Sequence, residues 1–289
     1  MRKEVSVQRT KITNDLMHYI YNYIDSDINL DTISSDFQIS KFHLHRIFKQ
    51  EFGFNIYETI KSIRLQKASN LLLTNKNSSV SDISASCGYS SQTSFTRAFK
   101  GRFGMSPKEW RKGGFMDYSN KLLENADCMT DKDYSDLSVD IKKLPAFEIY
   151  YIRHRGYNKG IRECWQKLKA FILTNDIKEY TNIALYHDNP AITPLQDCNY
   201  VAGIRIDDKI KPKKIDFPSF SIEGGIYAQF KAQGYKNDIF RLIQWIYLEW
   251  LPQSGYKLTA KPTYVIYEKN DYLSEDGLFV LTYCLPIQL

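Results

Sequence analysis

Apolar positions recur at helical spacing through the first 112 residues and then give way to shorter, strand-like runs. Leu16, Tyr19, Ile20 and Tyr23 mark an amphipathic helix near the N-terminus. Beyond it, Asp31 is a candidate N-cap, and Ile33 with Phe37 makes an i, i+4 apolar pair. The chain then turns near Gln38-Ile39, and Ser40 caps a helix whose buried stripe is Leu44, Ile47 and Phe48. Phe42, His45, Arg46 and Lys49 fall away from that stripe. The same order returns downstream. Ser81 is the candidate cap, Ile83 and Cys87 pack, and Gly88 supplies the left-handed residue of a tight helix-helix turn. Phe95 and Phe99 form the second stripe, while Gln92, Thr93, Thr96 and Arg97 project from the helix. Between the two units, Ile60, Ile63, Leu65, Ala68, Leu71 and Leu72 predict a long helix over 56–73, which Asn75-Lys76-Asn77-Ser78-Ser79 ends.

The two units are copies. Arg46 to Gly53 lies over Arg97 to Gly104 at an offset of 51 residues, and Ile33 and Ile39 lie over Ile83 and Tyr89 at an offset of 50. The second copy therefore carries one extra residue near Ser90-Ser91. A unit of about 50 residues occurring twice is a duplication, not a solenoid. Each copy reads as helix, turn, helix, so residues 1–112 are predicted to be an all-α tandem helix-turn-helix domain.

Residues 113–136 are polar and poor in large aliphatics, and read as a linker with one helical turn near Leu122-Leu123. Residues 137–289 change texture. A strand-like run from Phe147 to His154 precedes a helical pattern through Ile161, Trp165, Leu168 and Ile172; two further runs follow, Ile183 to Tyr186 and Val201 to Ile206. At an offset of 78, Gln233-Gly234-Tyr235 repeats Arg155-Gly156-Tyr157. The order recurs there as Ile226 to Ala232, a helix through Ile239, Leu242, Ile243, Ile246 and Trp250, then Tyr264 to Glu268 and Phe279 to Leu285. Two β-α-β-β units predict a pseudo-twofold α+β domain with a groove between its halves.

Composition sharpens this division. Residues 1–112 hold 17 basic and 10 acidic side chains, whereas residues 113–289 hold 22 and 23. The positive excess thus lies entirely in the helical part, where a polyanion would be met. Of 21 tyrosines, 16 lie beyond residue 113. No stretch approaches the roughly 18 apolar residues of a membrane span, and Met1-Arg2-Lys3-Glu4 leads into polar sequence rather than a signal peptide. Five scattered cysteines without a C-x-x-C pair predict reduced thiols in a cytoplasmic protein, with neither a disulfide framework nor a zinc cluster.

The projecting residues carry the chemistry of the first part. Arginine can reach a guanine edge and glutamine an adenine edge. The run Ile83 to Pro107, with Cys87-Gly88-Tyr89, Phe95, Arg97, Phe99-Lys100, Phe103-Gly104 and Ser106-Pro107, resembles the signature of AraC/XylS-family transcription regulators. Ser40 to Arg46 resembles that family's first recognition helix. The resemblance implies that Phe42, His45 and Arg46 face bases in one groove and Gln92, Thr93, Thr96 and Arg97 in another; His45 stands where close relatives carry glutamine. Two recognition helices on one rigid spacer fit successive major grooves about 34 Å apart, which predicts a monomer on a double-stranded site of about 20 bp.

The second part is similar to the GyrI-like small-molecule-binding domain, through Arg153-His154-Arg155-Gly156, Thr193-Pro194 with Cys198, Gly224 to Ala228, Gly234-Tyr235, and Pro262 with Tyr267. The fusion, DNA-binding part first, resembles Rob-type regulators. That family implies an aromatic groove for lipophilic cations, with a buried glutamate two residues before the tyrosine matched by Tyr267. Here that position is Val265. Glu268 falls on the opposite strand face by the period-two rule. Tyr151, Trp165, Tyr186, Tyr227, Trp245, Tyr264 and Tyr267 are the candidate lining for an aromatic or lipophilic effector, neutral or weakly cationic. With Val265 in place of the glutamate the general acid/base of the hydrolytic relatives is missing, and no nucleophile elbow, P-loop or H-E-x-x-H motif occurs, so no catalytic residue, metal or cofactor is expected. The alternatives are a small-molecule hydrolase or a module that binds a protein such as RNA polymerase.

Overall fold

The computed structural model describes residues 2–207, 217–259 and 261–289, with side chains from residue 8 onward. The chain divides into two compact units, Met1–Lys121 with Tyr247–Ala260, and Leu122–Ile246 with Lys261–Leu289.

The first unit is helical: α1 (Arg2–Asn22), α2 (Leu30–Asp36), α3 (Lys41–Phe52), α4 (Ile56–Thr74), α5 (Val80–Ser86), α6 (Gln92–Phe103) and the short α7 (Pro107–Glu109). The duplication is visible in backbone detail. Both α3 and α6 run for 12 residues, open on a serine cap and close on a left-handed glycine, Gly53 and Gly104. Ser40 Oγ accepts from the His43 N–H and Ser91 Oγ from the Ser94 N–H, each satisfying a donor the first helical turn leaves open. The caps of α2 and α5 lie two residues upstream of the sequence candidates Asp31 and Ser81. Asn29 Oδ1 accepts from the Asp31 N–H, and Ser79 forms a reciprocal capping box with Asp82. The earlier residues have the extended backbone that a cap requires, so each helix gains a start before its first apolar position.

The connecting helix α4 carries Arg64, which ties three places together. Its Nε donates to the Ile24 carbonyl at 2.9 Å and its terminal nitrogen to the Ser26 carbonyl at 2.7 Å. A Cβ on Gly88 would stand 2.7 Å from the same guanidinium, and Gly88 has φ +72. Gly88 therefore provides both the left-handed turn and room for Arg64. On the second copy, Phe95, Phe99, Phe103 and Trp110 meet ring to ring in succession, edge-on or tilted, and Trp110 Nε1 donates to the Ser69 carbonyl of α4 at 3.2 Å.

Within 113–136, residues Phe115–Asn125 form α8, longer than the single turn expected. Few of its positions are hidden, Ser119 and Leu123 among them at i, i+4 spacing, so a polar composition suffices.

The second unit is α+β: β1 (Val139–Leu144), β2 (Phe147–Arg155), α9 (Gly160–Thr174), β3 (Tyr180–Tyr186), β4 (Asn199–Ile206), β5 (Ser219–Ile222), β6 (Gly225–Tyr235) and α10 (Asp238–Trp245). The segment grouped with the helical unit holds α11 (Leu251–Ser254) and β7 (Lys257–Leu258), after which β8 (Thr263–Lys269) and β9 (Leu278–Gln288) complete the sheet. The β-α-β-β order occurs twice, as β2-α9-β3-β4 and β6-α10-β8-β9. Strands lie in the order β1-β6-β9-β8-β3-β4-β2-β5. This order is symmetric about the β8–β3 pair, where Asn182 faces Tyr267 and Tyr186 faces Thr263. Hydrogen bonding across that pair makes the sheet continuous between the halves. β1 and β5 exchange partners: β1, next to β2 in sequence, pairs with β6, while β5, next to β6, pairs with β2. Each half thus supplies the other's edge.

Candidate functional site

The eight candidate DNA-contacting residues all lie on the outward sides of α3 and α6. Phe42, Arg46, Lys49, Gln92, Thr93 and Arg97 are exposed, and His45 and Thr96 are partly so. Phe42 stands out because it is apolar yet 78% exposed. A large apolar ring left in water at the start of a helix is a contact surface in waiting, since its burial on a partner is favourable. The opposite faces are sealed by Leu44, Ile47 and Phe48 in α3 and by Phe95, Phe99 and Phe103 in α6. His45 is backed by Tyr57, the second residue of α4, with ring centroids 5.4 Å apart. Tyr57 is itself 61% exposed and was not among the sequence candidates.

The seven candidate ligand residues separate into two aromatic layers on opposite faces of the sheet. Tyr151, Tyr227 and Tyr264 join one core with Ile149, Ile183 and Leu185. In it Tyr227 and Tyr264 meet at 5.2 Å, and the Tyr227 hydroxyl donates to the Glu223 carbonyl at 2.7 Å. Trp165, Tyr186, Trp245 and Tyr267 belong to the other layer, reached by α9 and α10. Trp165 touches Tyr267 at 5.8 Å and donates through Nε1 to the Tyr200 hydroxyl at 3.1 Å. Tyr186 meets Tyr200 and Tyr283 at 5.6 and 6.1 Å, and Phe230 joins Tyr283 to Trp245.

Three tyrosines of this second layer are additional to the sequence candidates. Tyr157 stacks on Tyr186 at 6.0 Å and meets Tyr200 edge-on at 5.7 Å, and Tyr272 lies 6.2 Å from Tyr200. Strand register could have found Tyr200, which sits directly opposite Tyr186. The hydroxyls converge. Burial drives the phenols of Tyr157, Tyr200, Tyr267 and Tyr272 well above the ordinary tyrosine range, and each also feels its neighbours. The Tyr157 hydroxyl is buried beside that of Tyr186 but makes no hydrogen bond of sound geometry. Val265 is completely buried. Among the described residues, no group of three or more His, Cys, Asp or Glu is placed to hold a metal, and no helix is long and apolar enough to cross a membrane.

Tandem recognition helices followed by a duplicated α+β unit define a two-part regulator class. Residues 137–288 match the GyrI-like small molecule binding domain, and residues 33–113 match a helix-turn-helix domain. The chain belongs to the AraC-type regulators that carry a C-terminal GyrI-like domain. It is 36% identical over 107 residues to the probable transcription factor PqrA of Proteus vulgaris, covering 36% of this chain and 87% of that protein. It is 33% identical over 99 residues to the Msm operon regulatory protein of Streptococcus mutans serotype c, covering 34% of this chain and 35% of that regulator's length. The crystal structure of the EcmrR C-terminal domain aligns at TM-score 0.40 and 14% identity, covering 53% of this chain and 98% of that domain.

Proposed function

We propose that the protein is a sequence-specific transcription regulator of the cytoplasm, binding double-stranded DNA as a monomer through α3 and α6 in successive major grooves. One observation carries this reading. The two helices match in length, cap and left-handed termination, and both turn their polar faces to solvent. The bracing of α4 by Arg64 and by the Trp110 bond to Ser69 favours a fixed separation of the two readers. With grooves recurring about every 34 Å, the site spans about 20 bp. Sites selected from random duplexes, followed by sedimentation of the complex, test it. One chain per minimal site is expected, and a requirement for two overturns the monomer. Arg97→Ala should weaken the selected site by about 1–3 kcal/mol and relax preference at one position.

The second unit is the sensor in this reading, taking an aromatic or lipophilic small molecule at the α9 and α10 face of the sheet. Trp165, Tyr186, Trp245 and Tyr267 are then its contact residues. Membership of the GyrI-like family and the ten or so aromatic rings on that face support it. Ligand binding that no substitution among Trp165, Tyr186 and Tyr267 weakens would move the site elsewhere.

A further inference from the structure

Tyr57, the second residue of α4, is a large ring left well exposed beside a candidate reader of the first recognition helix. Its centroid lies 5.4 Å from that of His45, with the two planes tilted by 35°. The backbone beneath it is closely held. Asn55 Oδ1 accepts from the Glu58 N–H at 2.9 Å, Glu58 Oε2 accepts from the Asn55 N–H at 3.2 Å, and the Thr59 hydroxyl donates to the Asn55 carbonyl at 3.1 Å. Ile56 and Ile60, before and after it on α4, are buried. The ring therefore stands on a fixed helix start, and the residues that face inward set its outward direction.

The second copy shows what is particular to the first. At the 51-residue offset, Asn55, Ile56 and Glu58 become Ser106, Pro107 and Glu109, and the reciprocal cap is repeated. Tyr57 becomes Lys108, and His45 becomes Thr96. The same scaffold thus sets a ring beside a ring in one copy only. A partly exposed imidazole turns about two side-chain bonds, so its nitrogens can point in several directions. A neighbouring ring narrows that choice and gains from the contact. Threonine, branched at Cβ, is stiff by itself and needs no such support.

We infer that Tyr57 is a positioning residue of the DNA reader: it holds the His45 imidazole in one orientation and through it sets the base preference at one position of the site. This rests on the reading of α3 as a recognition helix. An imidazole N–H held toward the major groove needs an acceptor. Guanine presents two there, N7 and O6, whereas adenine and thymine present one each and cytosine a donor. Guanine is therefore the base expected at that position.

The test is selection of sites from random duplexes with the full chain, then titration of the selected site and its three variants at the position that His45→Ala relaxes. His45→Ala should reduce the preference there by about tenfold. Tyr57→Leu, which keeps bulk but removes the ring, should reduce it by about threefold and leave the other positions unchanged. Tyr57→Phe should retain it, and Tyr57→Leu added to His45→Ala should cost nothing further, because the ring acts through the imidazole. Melting temperatures should stay equal across the series, since Tyr57 is exposed. An unchanged preference in Tyr57→Leu overturns the positioning role and leaves α3 as a reader. So does a preference lost only together with stability, or a loss spread evenly over all sequences, which marks a phosphate contact. Selection of no sequence, or no position relaxed by His45→Ala, overturns the reading by His45 as well.

Discussion

The two faces of the sheet are built from the same residue type and resolve it differently. On one face Arg153 lies over the Tyr151 ring and Arg205 over Phe147, and the Tyr227 hydroxyl is spent on a carbonyl of its own chain. On the Trp165 and Tyr200 side, the Tyr200 hydroxyl accepts from Trp165 Nε1, and the buried phenols of Tyr157, Tyr186 and Tyr200 meet ring to ring. A buried phenol needs a partner for its hydroxyl and gains from a cation over its face. On the first face Tyr151 finds a cation in Arg153, and Tyr227 a hydroxyl partner in the Glu223 carbonyl. On the second, the Tyr157 hydroxyl is buried without a hydrogen bond of sound geometry. Aromatic content alone therefore does not tell the two faces apart; the partners of their hydroxyls do.

The largest expected difference between the faces comes from removing one hydroxyl on each. Tyr200→Phe orphans the Trp165 Nε1–H, which is fully buried, and should cost about 1–3 kcal/mol. Tyr227→Phe frees only a backbone carbonyl in a partly buried place and should cost about 0.5–1.5 kcal/mol. Urea denaturation with equal m-values would check both. If Tyr227→Phe proved the more costly, the helix-covered face would not be the polar one.

A smaller effect sharpens the contrast through pH. Burial holds the folded carboxyl of Asp271 at about 6, above its ordinary value of 3.8, so between those values the folded chain holds a proton that the unfolded chain has lost. Stability from this group therefore falls as pH rises through the window, and its full cost is present above it. Buried His187 acts in the opposite sense. Its folded value is pushed down to about 3 by burial and by Arg153, so the unfolded chain takes up a proton first as pH falls below about 6.5. The two groups slope in opposite senses, and Asp271→Asn removes the first of them. Its melting temperature should exceed that of the wild type at pH 7.5 and converge with it at pH 4. A constant offset between the two proteins would show that Asp271 is not perturbed.

What could be read in advance follows the range of the interactions. Helices α3 and α6 were legible because their stripes, serine caps and closing glycines act within four residues, and α4 because its apolar stripe does. The recurrence of a 51-residue offset then checked one copy against the other. β1 was not legible, since Val139–Leu144 buries no residue and owes its form to pairing with β6, more than 80 residues away. The seven ligand candidates were read as a single lining, although Tyr264 and Tyr267, three apart on β8, must face opposite sides by the period-two rule. The alternation that set Glu268 aside also divides that list. Tyr157, Tyr272 and Asp271 lie in turns whose neighbours are chosen only by the closed sheet, and no local pattern points to them.

The smallest expected effect tests whether the capped face is finished. Arg205 is exposed, and its guanidinium lies over Phe147, so the contact is worth about 0.5–1 kcal/mol at a solvent-facing position. Arg205→Gln should lower stability in urea denaturation by no more than that and leave binding of an aromatic ligand at the α9 and α10 face unchanged, because Val201 and Arg205 point away from Tyr200 on alternate positions of β4. Should the same substitution create a cation site, the uncapped ring of Phe147 would be accepting an external cation. The division between the faces would then lie in which rings the chain itself covers.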